Sequence, residues 1–291
     1  MIQVLNSSFF GGQISAPKNV GVNPLFRAKI SVNGESVRCY VKPAPDSYKN
    51  KDGTFFLNRE ITSEALGYVL GKACGMSMAD NAGVIVLERD MIPADILGQL
   101  DEITHGDKQE SFLAWFSQDM TYPNLVERLI GDPKNDFQAK RIRRVAEKLA
   151  KHPDSPALVS FDEWLLNSDR HLGNLLAAAK GKMMLIDQGR IFRQPSWQPA
   201  SLGPVGARCK NTFELMLNTY TPRWSEQLPI KSARSLAYNT ISVAFRGDGA
   251  SAARNVLKEM MMEDSDVDTV IDYLAGRLDP VQYNQFVELL A

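Results

Sequence analysis

Apolar positions in the first part of the chain alternate or come in short blocks, the pattern of strands. Ile2, Val4 and Leu5 lead to Phe9 and Phe10. A break at Gly11-Gly12 and a polar stretch through Gly21 follow, and apolar residues resume over 25–32. Asn33-Gly34 accepts the positive φ angles of a two-residue turn, so it predicts a hairpin between strands over 25–32 and 36–41, the second ending before Pro43. Residues 43–55 are polar and read as a loop. From residue 57 the period changes: Ile61, Ala65, Leu66, Val69 and Leu70 recur at helical spacing, with Asn58 as cap and Gly75 as stop. A strand over 83–88, a stretch without clear period over 91–110 and an apolar strand over 111–116 follow.

Beyond Tyr122 the pattern is helical. A short amphipathic segment over 123–130 breaks at 131–136, and helices follow over 137–150 and 158–166. Two short strands, 175–179 and 183–186, flank a turn at Lys180-Gly181-Lys182. Residues 190–208 are rich in Pro, Gly and Ser, anchored by Trp197. The remainder reads as helices, including 252–262 and 267–277, separated by Pro222, Pro229, Gly247-Asp248-Gly249 and Pro280. Strands followed by helices predict an α+β protein. A β-rich unit over 1–120 precedes a helical one over 121–291.

Composition narrows the classes without naming a function. The 291 residues suit one large or two small units, since domains run at about 100–200 residues. Lys and Arg number 33 against 34 Asp and Glu, so net charge gives no sign of nucleic-acid binding. The basic and acidic residues of 137–150, among them Lys140, Arg141, Arg143, Arg144 and Glu147, read as a solvated helix face. Three isolated cysteines, Cys39, Cys74 and Cys209, suggest a reducing compartment and no metal cluster. No apolar run approaches the ~20 residues of a membrane span. The first residues lack the charged and apolar regions of a signal peptide. A soluble, cytoplasmic protein is expected.

The chemistry concentrates in 164–189, WLLNSDRHLGNLLAAAKGKMMLIDQG. A helix end, a charged loop and a hairpin bring Asp169, Asn174 and Asp187 together, because the second strand ends near where the first begins. Two carboxylates and an amide offer the hard oxygens that Mg²⁺ prefers. Phosphoryl transfer depends mainly on positioning and charge neutralisation, which such a set supplies. Asp169 would orient or deprotonate an acceptor hydroxyl, and Asn174 and Asp187 would hold Mg²⁺. Asp is also common in turns, and there a carboxylate can simply cap the hairpin. Asp162 and Glu163, on the preceding helix, read as structural.

Asp169-Arg170-His171-Leu172-Gly173-Asn174, followed by Ile186-Asp187-Gln188-Gly189, resembles the catalytic and metal-binding loops of HipA-like kinases. The Asp-Arg-His-x-x-Asn order is shared with phosphoinositide 3-/4-kinases. The resemblance implies a two-lobed protein-kinase-like fold, with a small β-rich N-lobe and a larger, mainly helical C-lobe. It also implies ATP and Mg²⁺ as cofactors, and catalytic roles for Asp169, Arg170 and His171. His171 either fixes the loop as a hydrogen-bond partner or touches the γ-phosphate. Lys42, at the end of the third strand, becomes the phosphate lysine rather than a solvated strand end. Glu64 becomes its partner on the next helix, while Glu60 fits a surface acid at a helix start.

The glycines between the early strands, Gly12 and Gly21, form either a phosphate-covering loop or an ordinary turn. By topology alone, 117–120, including Asp119, is the hinge that meets adenine, while Trp115 and Phe116 read as core. With its lysine at residue 42 the chain is expected to be a short, kinase-only form. Ser15 is the candidate for regulatory phosphorylation of the glycine loop. The expected activity is a serine/threonine protein kinase; the resemblance also admits a toxin-type kinase with an antitoxin or regulatory protein as partner. A lipid or small-molecule kinase and a nucleotide-binding pseudokinase are the alternatives. The lack of a basic membrane-facing run counts against phosphoinositide substrates.

Overall fold

A computed structural model describes residues 2–14, 24–49, 52–104, 108–130 and 138–289. Along the chain come β1 (Gln3–Leu5), β2 (Phe10–Ile14), β3 (Phe26–Val32), β4 (Glu35–Ala44), a small hairpin of β5 (Ser47–Lys49) and β6 (Phe55–Leu57), helix α1 (Glu60–Ala73), β7 (Ala82–Glu88), α2 (Ala94–Ile103) and β8 (Ser111–Gln118). Six of these strands hydrogen-bond in the order β1-β7-β8-β4-β3-β2. β1 runs parallel to β7 and the other pairings are antiparallel.

The alternation in β3 shows why this sequence makes a sheet. Phe26, Ala28, Ile30 and Val32 point inward and are buried, while Arg27, Lys29 and Ser31 face the other way. Asn33 and Gly34 take φ of 52° and 83° and close the expected hairpin onto β4. β4 outruns the expected strand and includes Pro43. That proline lies beyond the last β4 residue paired by β3, so the strand has only β8 as neighbour there and tolerates a residue without an N–H.

The helical half contains α3 (Gln138–Ala150), α4 (Asp154–Trp164), the hairpin β9 (Leu175–Ala177) and β10 (Met183–Leu185), α5 (Thr212–Tyr220), α6 (Leu228–Ala244), α7 (Ala250–Glu259), α8 (Asp264–Gly276) and α9 (Pro280–Phe286). Two apolar cores flank the sheet. On one face Leu5, Ile30, Val41, Ile85 and Phe116 pack against Ile96 and Leu100 of α2. On the other, Val84 and Trp115 meet α1, and that core continues through Trp164, Trp197 and Trp224 into the helical half. Helix α1 touches both β8 and α7, so it is enclosed: every position from Ile61 to Leu70 is buried. No helix among the described residues is long and apolar enough to cross a membrane.

Three local expectations are corrected. The 43–55 loop contains β5 and the first residue of β6. The stretch 91–110 contains α2, whose buried Ile96 and Leu100 lie one turn apart. The segment 123–130 is a single wide turn over Val126–Ile130 rather than an α-helix. In the 3₁₀ turn Ile191–Arg193, Phe192 packs on Trp197, the expected anchor of its segment.

Candidate active site

Lys42 lies in β4 opposite Trp115 of β8, and its ammonium collects three carboxylates from two other elements. Nζ stands 2.6 Å from Glu60 Oε1, 3.2 Å from Glu64 Oε1 and 3.1 Å from Asp187 Oδ1. Glu60 and Glu64 are one turn apart on α1, so both reach the same strand residue. Asp187 follows β10. The cluster thus bridges the sheet, α1 and the helical half. Burial opposes the Lys42 charge, but Asp187, Glu64 and Glu60 outweigh it and hold the ammonium well above its ordinary pKa. Burial pushes Glu64 up to about 8 against the pull of Lys42. For Asp187, burial is overcome by Lys42, and the carboxyl falls to about 2.

The catalytic-loop candidates hang from α4. Asp162 and Glu163 are both buried there. Glu163 pairs with Arg234 of α6, whose guanidinium also reaches Glu214 of α5. Asp162 pairs with Arg170 and accepts from the amides of Asn167 and Asn211. Arg170 is fully buried, which departs from the expected catalytic role. Its guanidinium binds Asp162, the carbonyls of Asn174 and Ile186, and Gln188 Oε1, so it touches no space a substrate could enter. It is a positioning residue that ties the loop, the hairpin and α4 together.

That frame orients the oxygens. Asn174 Nδ2 donates to the carbonyl of Asp169 at 3.1 Å, which commits the amide nitrogen and leaves Oδ1 as the ligand side. The backbone N–H of Ile186 donates to the Asn174 carbonyl, holding the end of β10 beside the start of β9. Asp187 adopts φ 58° and turns the chain there. Asp169 is exposed, with its N–H held by Asn167 Oδ1. The His171 ring folds back so that Nδ1 accepts the Gly173 N–H; a Cβ at 173 would stand 2.8 Å from the ring, so glycine permits the fold. Asn174 Oδ1 and the Asp187 carboxylate are hard oxygens that could hold a divalent cation.

The segment after Asp187 is fitted to α1. The Gln188 N–H donates to Glu64 Oε2 at 2.6 Å. A Cβ on Gly67 would lie 2.5 Å from Gln188 Cβ, and one on Gly189 would lie 2.8 Å from Glu60 Cγ. Two glycines therefore set how closely the hairpin approaches the helix.

Other expected positions lie further out. Gly12, φ 101°, sits in edge strand β2, where the β2–β3 register shifts. Gly21 and Ser15 lie outside the described residues. Asp119 follows β8 and is engaged within the protein: its carboxylate pairs with Arg27 at 2.6 Å and its N–H donates to the Arg38 carbonyl. Neither group of Asp119 is offered to a ligand. Glu60, expected to be a surface acid at the helix start, instead lies against Lys42 with its side chain largely buried. Its helical spacing from Glu64 was the available signal, but proximity to Lys42 became visible only once the helix was oriented.

No family model and no curated protein sequence matches the chain. Among solved structures, the crystal structure of a Helicobacter pylori proinflammatory kinase, CtkA, is similar over 99% of both chains, with a TM-score of 0.56 and 12% identity. The chain therefore has a kinase-like α+β fold, a β-sheet N-terminal part followed by a helical C-terminal part.

Proposed function

We propose that the chain is an ATP- and Mg²⁺-dependent phosphotransferase whose acceptor is a serine or threonine hydroxyl of a protein. The observation that carries this reading is the convergence on Lys42 of Glu64 and Asp187, from separate halves of the fold, within 3.2 Å. A lysine held by a helix glutamate beside a hairpin aspartate is the arrangement that grips nucleotide phosphates in kinases. The CtkA likeness in fold is consistent with it.

In this reading Lys42 donates to phosphate oxygens, and Glu64 holds its ammonium in place. Asn174 Oδ1 and Asp187 would hold Mg²⁺. They fit it as hard oxygen donors, the amide nitrogen of Asn174 being already committed to Asp169. When bound, the ion supplies neutralisation of phosphate charge. Asp169 accepts the acceptor hydroxyl's proton as its oxygen bonds to the γ-phosphorus and the bond to the bridging oxygen of ADP breaks. Arg170 holds Asp169 and Asn174 in register from below.

The test is incubation with γ-labelled ATP and Mg²⁺, alone and with cell lysate, beside Asp187→Ala. Label in protein that the variant loses supports the reading. Label confined to lipid or small molecules moves the acceptor class. Retained ATP binding without transfer contradicts catalysis.

A further inference from the structure

We propose that the exposed face of α3, with the turn between β9 and β10, docks an extended acidic segment of a protein partner. None of its residues belongs to the Lys42 cluster, and its role does not depend on what the cleft binds. Lys140, Arg144 and Lys148 follow one another at four-residue steps along α3 and are exposed, as is Lys151 just past the helix end. The opposite side of the helix, with Val145, Ala146 and Leu149, is buried. His152 extends this surface: its Nε2 donates to the Gly181 carbonyl at 2.8 Å and fastens the β9–β10 turn to the end of α3. The turn adds exposed Lys180 and Lys182.

Helix stability does not explain the row. Among the described residues none of these six cations is in an ion pair, while Arg143 beside them pairs with Glu147 at 2.9 Å. Lys148 suits the last turn of α3, but Lys140 lies in the first turn, which holds no acid and where the helix end disfavours a cation. Like charges four residues apart also oppose the helix. The row therefore costs α3 stability, and an anionic partner would offset that cost.

The chain as a whole carries a net charge of −1, so acids elsewhere balance this row. That balance favours a narrow partner. A duplex nucleic acid or an anionic membrane presents negative charge over a broad front and would press against the acidic remainder. A single extended chain meets the row alone. Successive cations stand about 6 Å apart along the helix axis. An extended peptide places every second side chain on one face at about 6.7 Å. Alternate carboxylates of such a segment can therefore each meet a cation.

Fluorescence anisotropy of a labelled peptide of alternating glutamate and glycine, titrated with the full chain in the absence of nucleotide, tests this. The wild type should bind the peptide at low salt and release it at high salt. A glutamine–glycine peptide should not bind. Arg144→Glu should weaken binding by about tenfold or more, because the charge it introduces repels the peptide. Its melting temperature should stay at or above that of the wild type, since the new carboxylate sits four residues from both Lys140 and Lys148. Arg246→Glu, at an exposed position between α6 and α7, should leave binding unchanged. No binding of the glutamate peptide at low salt, or binding that Arg144→Glu retains, overturns the proposal. Binding to duplex DNA or to phosphatidylserine vesicles in place of the peptide assigns the surface to another class of partner and overturns it as well.

Discussion

The backbone N–H of Gln188 donates to Glu64 Oε2 at 2.6 Å, joining the chain just past the hairpin aspartate to the helix of the β-rich half. Glu64 therefore serves two elements at once, since its other oxygen stands 3.2 Å from Lys42. The placement of the lysine and of the Asp187 segment is a single structural event.

That double duty has a pH signature. Glu64 is raised from 4.5 to about 8, so its contribution to stability is full below about pH 4.5 and is lost as pH rises through 8. Asp187 is lowered from 3.8 to about 2, so its contribution is present above 3.8 and lost as pH falls through 2. Thermal melts should show stability declining from pH 4.5 to 8, and Glu64→Gln should flatten that decline. A wild-type profile equally flat over this range would contradict the burial of an acid beside Asp187.

Lys42→Met leaves three acids without their cation. Breaking a buried ion pair costs about 3–5 kcal/mol, so the variant should melt earlier at neutral pH and recover part of the loss as pH falls and the acids protonate. Phosphoryl transfer should drop by about 100-fold or more. Paired melts at pH 5 and pH 7.5 check the first effect, and initial rates check the second.

Arg170 is expected to matter through structure. Arg170→Ala removes the partner of buried Asp162 and four further hydrogen bonds, a loss of about 3–5 kcal/mol. Arg170→Lys keeps the charge without the planar fork and should fall between. Denaturant unfolding ranks the three proteins; an alanine variant as stable as the wild type would remove Arg170 from its positioning role.

How much of this was legible in the chain follows from distance along it. Asp169, Asn174 and Asp187 lie on one short hairpin, so their order implies their meeting. The β3–β4 turn was readable from Asn33-Gly34 because a two-residue loop has strict φ requirements. Helix α2 shows no clear period in the sequence because only Ile96 and Leu100 of its residues are buried and polar residues separate them. The hairpin of β5 and β6 has no such signal: its exposed Phe55 and Leu57 make it look like loop. Glu60 and the burial of Arg170 depend on contacts across the fold, with Lys42 and Asp162 respectively, which no local pattern encodes.

Gly67 carries a different kind of constraint. A methyl there would meet Gln188 Cβ at 2.5 Å, a backbone-proximal atom that cannot swing away. Gly67→Ala should cost about 1–3 kcal/mol by overpacking and lower phosphoryl transfer by displacing Asp187. Melting temperature and transfer rate, measured together, should fall together; a variant with unchanged values would show that α1 and the Asp187 segment are not in close register.

Asp169 is exposed, so Asp169→Asn should leave stability within about 0.5 kcal/mol of wild type. Its loss as proton acceptor should slow transfer by roughly 10²–10⁴-fold. The decisive measurement is therefore Mg²⁺-dependent ADP formation from ATP in the presence of a protein acceptor, by wild type and by Asp169→Asn at equal folded concentration. A turnover that the wild type sustains and the variant loses, with ATP binding retained in both, is the expected result. Equal turnover by the two, or none by a wild type that binds ATP, would contradict the assignment of this cleft to phosphoryl transfer.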